Sequence, residues 1–153
     1  MFNEQKLKEL NILLPKAPEP VGAYVAFKKI NNLLFISGQL PIDLKGQIMK
    51  GKIGKDLSLA QGQEASKLCV ANILAQAKKA MDDDLNKIKN CIKITGFVNS
   101  TDEFIDQPKV INPASELLSA VFEDGGKHAR AAVSTNSLPL GVAVEIDAIF
   151  ETI

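Results

Sequence analysis

Two charged side chains stand in the last quarter of this 153-residue chain where charge is costly. From His128 the sequence runs H-A-R-A-A-V-S-T-N-S-L-P-L-G-V-A-V-E-I-D-A-I-F, two strand-like stretches joined at Pro139 and Gly141. Arg130 lies among alanines ahead of Val133, and Glu145 interrupts Val142, Val144, Ile146 and Ile149. An unpaired charge in apolar surroundings costs on the order of 3 kcal/mol or more, so each residue needs a partner or a ligand. A guanidinium can grip a carboxylate through two parallel hydrogen bonds, and a glutamate can hold a water and shuttle its protons. On adjacent strands the two would make one site. The alternative is that they neutralise each other, which would depress the glutamate pKa.

Other chemistry-bearing residues are sparse. Tyr24, the single tyrosine, ends a glycine-containing turn and could wall a cleft or pack half-buried on a strand. Ser37, ahead of Gly38, could donate to a ligand oxygen or satisfy a backbone group at a strand end. Asn112 precedes Pro113, the pattern of a helix N-cap followed by proline at the first helical position. His128 alternates with Arg130 but follows Gly125-Gly126-Lys127, which reads as an exposed entry loop. One histidine and two separated cysteines, Cys69 and Cys91, give no zinc-ligand spacing. No Ser-His-Asp set, phosphate-binding glycine loop or magnesium-type acidic cluster can be assembled. With 18 basic and 18 acidic residues the formal charge is zero, which offers no general attraction for nucleic acid or anionic lipid.

The elements that must position these residues follow from spacing. Residues 1–20 read as an N-terminal arm, with Leu7 and Leu10 on a short helix and Pro15, Pro18 and Pro20 keeping the rest extended. Residues 21–153 read as one domain. Ala23–Phe27 and Leu33–Ser37 have strand character and suggest a hairpin turning at residues 28–32, with a further short strand near Gly46-Gln47-Ile48. Ser58-Leu59-Ala60-Gln61 has the form of a capping box opening a helix whose apolar face includes Ala65, Leu68, Cys69 and Ile73, ended by Asp82-Asp83-Asp84. Residues 91–98 alternate as a strand, a second helix starts at Asn112-Pro113 and runs to Gly125-Gly126, and two strands finish the chain. This order predicts an α+β fold in which two helices cover one face of a mixed sheet, leaving the other face for oligomerisation. The N-terminus lacks the apolar core of a signal peptide and no stretch is long enough to span a bilayer, so cytoplasmic residence with reduced thiols is expected.

Five segments in order resemble one family. They are Gly22-Ala23-Tyr24, Phe35-Ile36-Ser37-Gly38-Gln39-Leu40-Pro41, Val110-Ile111-Asn112, Ala129-Arg130-Ala131-Ala132-Val133, and Leu138-Pro139 with Val144-Glu145-Ile146. Together they are similar to the Rid family, also called YjgF, whose older labels are L-PSP endoribonuclease and translation inhibitor. The resemblance implies a chorismate-mutase-like fold, a homotrimer whose three sheets form a barrel, and ligand clefts between subunits. It also implies cofactor-independent hydrolysis of enamines and imines of the 2-aminoacrylate and 2-iminopropionate type to a keto acid and ammonia. By the same resemblance the carboxylate-binding arginine is Arg130, the water-handling glutamate is Glu145, and Tyr24, Ser37 and Asn112 line the cleft. The chain resembles a longer branch, with an added arm and a longer loop before the first helix, and has Ala132 where some members carry a cysteine. Two competing expectations are a keto-acid-binding or chaperone-like trimer without turnover and, ranked last because no basic, aromatic-interleaved surface is visible, an RNA-cleaving protein.

Overall fold

The computed structural model describes residues 1–153. Five strands, β1 (Phe27–Ile30), β2 (Leu33–Gln39), β3 (Ile88–Asn99), β4 (Ala129–Thr135) and β5 (Val144–Thr152), form one sheet in the order β1-β2-β5-β3-β4. All pairings are antiparallel except β3 with β4. Three helices complete the chain: α1 (Glu4–Glu9), α2 (Leu59–Ala80) and α3 (Gln107–Phe122). This is the α+β, mixed-sheet architecture that the sequence predicts.

Alternation along β5 defines the two sheet faces. Val144, Ile146, Ala148 and Phe150 are buried against α2 and α3, whereas Glu145, Asp147, Ile149 and Glu151 point the other way and are only half-buried. Apolar side chains from other strands lie on that second face: Phe35 opposite Ile149 is 40% exposed, and Val133 opposite Phe97 is 45% exposed. A sheet face carrying exposed aromatic and aliphatic residues in register is the feature that the sequence reading assigned to oligomerisation.

Helix α2 begins where local chemistry dictates. The Ser58 hydroxyl accepts the Gln61 amide at 3.2 Å and the Gln61 side chain accepts the Ser58 amide at 2.9 Å, completing the capping box. The first hairpin differs from expectation. Lys28, Lys29 and Ile30 belong to β1, and only Asn31 and Asn32 form the turn, with Asn31 at φ 51°. Because β1 is the sheet edge, its lysines lie in solvent while the backbone still pairs. Near Gly46 there is one isolated bridge, Ile42 with Ile48, and no strand.

Helix α3 departs further. It starts five residues before Asn112, with Asp106 at its N-cap and a proline in its first turn, so Asn112 is not a cap and Pro113 sits inside the helix. A proline there supplies no N–H to the carbonyl four residues earlier, Lys109. The Gln63 amide of α2 donates to that carbonyl at 2.9 Å, so a contact between helices replaces the missing bond.

The arm lies on the helices. Leu7 joins the core, the Phe2 ring meets Phe122 at 5.4 Å between centroids, and Gln76 donates to the Pro18 carbonyl at 2.6 Å. Cys69 and Cys91 are both free and buried, and no helix is long and apolar enough to cross a membrane.

Sheet and helix meet most closely at Gly96 of β3, where an added Cβ would lie 2.6 Å from both Cγ1 and Cδ1 of the fully buried Ile111 of α3. Gly96→Ala is therefore expected to lose about 1–3 kcal/mol of unfolding free energy, read from urea melts. An unchanged midpoint would show that α3 can move away freely.

Candidate functional site

Arg130 and Glu145 lie on β4 and β5, and β3 runs between those strands. Their backbones are thus two interstrand spacings apart, on the order of 10 Å. Register also separates their faces. Arg130 pairs with Ile94 on the helix-covered side, whereas Glu145 pairs with Phe97 on the open side. The expectation of adjacent strands is corrected accordingly. Strand β4 returns parallel to β3 through the α3 crossover, and β5 then adds antiparallel to the opposite edge of β3. The two charges cannot neutralise each other within one protomer.

Arg130 is half-buried beside the middle of α3. Its Nη1 donates to the Asn112 side-chain oxygen at 2.9 Å and to Ser115 Oγ at 3.2 Å. Those two bonds use both hydrogens of Nη1, and no carboxylate lies within ion-pair distance. The Nε and Nη2 edge remains, which is one complete fork for an external carboxylate. His128, expected in an exposed loop, is half-buried and meets Ser115 Oγ through Nε2 at 2.9 Å. Sequence reasoning missed Ser115. Its spacing of three residues from Asn112 on one helix would have found it, had the helix been placed around Asn112 rather than after it.

The second group forms around the β2 bulge between Ile36 and Gln39. Glu145 lies over Gly38, where an added Cβ would come 2.6 Å from Oε1, so glycine leaves the space that the carboxylate occupies. Tyr24, 51% exposed, lines a cleft of about 60 Å³ together with Ser37, Gly38 and Gln76. The Ser37 hydroxyl donates to the Ala26 carbonyl at 2.9 Å, the backbone role anticipated for it, while its oxygen can still accept. Burial, reinforced by the neighbouring Asp147 carboxylate, pushes the Glu145 carboxyl above its usual range. This is the reverse of the depression that a pairing with Arg130 would give.

The five residues therefore fall into two groups: Asn112 and Arg130 beside α3, and Tyr24, Ser37 and Glu145 around the bulge. No cluster of His, Cys, Asp and Glu could hold a metal ion. A cavity of about 690 Å³ lies elsewhere, between the arm, α2, α3 and the loop at Leu44, and includes none of these five residues.

Comparison with known proteins supplies the context. The family model described as "YjgF/chorismate_mutase-like, putative endoribonuclease" matches residues 4–150. Protein TCP17 of Trypanosoma cruzi is 40% identical over 146 residues, covering 95% of this chain and 91% of that protein. The crystal structure of Atu1372, a protein of unknown function from Agrobacterium tumefaciens, is 48% identical with a TM-score of 0.91 and covers 98% of this chain and 93% of that one. The structure of E. coli TdcF with bound serine is 26% identical with a TM-score of 0.62, covering 90% and 94% of the two chains.

Glu145 predicts a pH effect of defined sign. A carboxyl raised in the folded chain holds its proton more tightly there than in the unfolded chain, so stability falls as pH climbs from the ordinary glutamate value of 4.5 through the raised one. Glu145→Gln, which stays neutral, should be more stable than wild type near neutral pH, by less than about 1 kcal/mol after solvent screening. The difference should close below pH 4.5. Urea melts across that range read it, and a variant less stable than wild type at neutral pH would contradict the assignment.

Proposed function

This chain belongs to the YjgF family, and from that premise we propose that it is a cofactor-independent deaminase that hydrolyses small enamine and imine acids of the 2-aminoacrylate and 2-iminopropionate type. The observation that carries the proposal is Arg130: a guanidinium held by two neutral oxygens, with no carboxylate partner and a complete bidentate edge left over. A ligand carboxylate is the natural complement of that edge. The serine in the TdcF structure, an amino acid with such a carboxylate, supports the same chemical class.

Glu145 supplies the second half of the chemistry. A carboxyl whose pKa burial raises is a stronger base as the anion and can return the proton it takes. As the carboxylate it takes a proton from a water that attacks the imine carbon, forming the C–O bond. As the acid it returns that proton to nitrogen, giving a carbinolamine; the carboxylate then takes the hydroxyl proton and passes it to the amine, and as the C=O bond forms the C–N bond breaks and ammonia and a keto acid leave. An enamine reaches the imine first by protonation at its terminal carbon. Free imines already hydrolyse in water, so fixing the carboxylate and placing one water is sufficient catalytic work.

Because the two groups lie on opposite faces and on separated strands of one protomer, we place the complete site between copies. Arg130 and Asn112 come from one chain, and Glu145, Ser37 and Tyr24 from its neighbour, in a closed homotrimer built on the open sheet face. A homo-oligomer with a heterologous interface brings two different patches together in this way. The word endoribonuclease in the family description finds less support here. The chain has no net positive charge, and its one histidine is engaged with Ser115 and Gly126.

Release of ammonia or keto acid, with 2-aminoacrylate generated in situ by a separate lyase, tests the activity. Arg130→Ala should lose about 100-fold or more in kcat/KM together with carboxylate binding. Glu145→Gln should keep binding but lose about 10²- to 10⁴-fold in kcat. If the Glu145→Gln protein turns over at the wild-type rate while Arg130→Ala binds nothing, the site is a keto-acid-binding cleft without catalysis.

Complementation reads the composite site. Arg130→Ala and Glu145→Gln chains, unfolded and refolded together in equal amounts, should regain about a quarter of wild-type activity, because about one interface in four draws its arginine and its glutamate from intact donors. Recovery of nothing would place both residues in one protomer's site.

A further inference from the structure

We infer that Ser115 and His128 are positioning residues for this reaction, forming a directed hydrogen-bond chain that fixes which edge of the Arg130 guanidinium faces the substrate. The inference rests on the proposed reading of Arg130 as the carboxylate anchor and goes beyond it in naming what aims that anchor.

The direction of each bond follows from what its atoms can do. The Gly126 carbonyl can only accept, so His128 Nδ1, 2.5 Å away, carries a proton. In the tautomer with its proton on Nδ1, Nε2 holds the lone pair, and the Ser115 hydroxyl 2.9 Å away donates to it. That leaves Ser115 Oγ with lone pairs to accept from Arg130 Nη1 at 3.2 Å. The chain therefore runs Arg130 to Ser115 to His128 to the Gly126 carbonyl, every member satisfied. Asn112 takes the other Nη1 hydrogen at 2.9 Å.

Both partners of the imidazole, Ser115 and Gly126, are anchored on α3. Ser115 follows Asn112 by three residues on that helix. Gly126 lies against the same helix, where an added Cβ would strike the Leu118 carbonyl and come 2.6 Å from Ser119 Cα. The imidazole thus spans two fixed points, and the serine between it and the arginine can point its hydroxyl only one way. Two acceptors, one for each Nη1 hydrogen, define the plane of the guanidinium and turn the Nε and Nη2 edge outward. With one acceptor removed the guanidinium can rotate about its last bonds and offer a carboxylate a single hydrogen bond instead of two.

The test separates aiming from folding and from turnover. Binding of pyruvate, a product-class keto acid that cannot be deaminated, is measured by NMR titration on the assembled protein, and kcat and KM are measured in the coupled lyase assay. Ser115→Ala should bind pyruvate about five- to tenfold more weakly and raise KM by a similar factor, with kcat within about twofold of wild type, since Glu145 is untouched. Ser115→Thr, which keeps the hydroxyl, should restore both values. His128→Phe should weaken binding in the wild-type background and add nothing in the Ser115→Ala background, because its effect passes through that hydroxyl. Equal pyruvate affinity in wild type and Ser115→Ala overturns the inference, as does strict additivity of the two substitutions. Wild-type pyruvate binding without imine turnover would sink the deaminase reading while leaving the aiming chain standing, and a wild type that binds no pyruvate would sink both.

Discussion

With β3 running between β4 and β5, the guanidinium of Arg130 and the carboxylate of Glu145 are held on different strands and different faces of one sheet. Most features of the site depend on this separation. Had the two strands been neighbours with the residues in register, the charges would have closed on each other. The glutamate pKa would have fallen, and neither group would have been free for a ligand. Held apart, each keeps an unmet electrostatic demand. Arg130 has one edge without a partner in the protomer and neutral oxygens on the other side, and Glu145 is destabilised as an anion by burial and by Asp147.

The separation is maintained by close packing rather than by ion pairs. Helix α3 reaches the sheet because Gly96 has no side chain to oppose Ile111, and the carboxylate of Glu145 reaches the β2 bulge because Gly38 has none to oppose it. Each glycine marks a place where another group occupies the volume of a Cβ. Every ion pair within the protomer involves a lysine, and most have both side chains largely exposed. Such pairs contribute little. Core and backbone carry the geometry, and the site's charges are exempt from it.

Pro113 links the fold to the site. A proline inside a helix leaves the carbonyl four residues earlier without its N–H, and here that carbonyl is taken by Gln63, which ties α2 to α3. The same shift frees the Asn112 side chain from capping and turns it to Arg130. One backbone irregularity therefore docks the two helices together and leaves an acceptor for the guanidinium.

What the sequence determined by itself is what local forces decide. The capping box at Ser58 and Gln61 involves groups three residues apart, so the start of α2 was legible, as was the strand character of residues 91–98 and of β5, though not the bulge between Cys91 and Lys93 that leaves Ile92 exposed while Cys91 is buried. The charged pair stood out as a candidate too, because an arginine and a glutamate in apolar segments are conspicuous whatever the topology. Only the tertiary structure decided that their strands do not touch, that Lys28 and Lys29 lie on an edge strand, that α3 begins before Asn112, and that Ser115 and His128 bond each other beside Arg130. Each of these depends on a partner remote in sequence: a third strand inserted between two others, a sheet edge, a glutamine on another helix, a serine thirteen residues from its histidine. Periodicity records which face of an element is apolar, and it does not record what that face will meet.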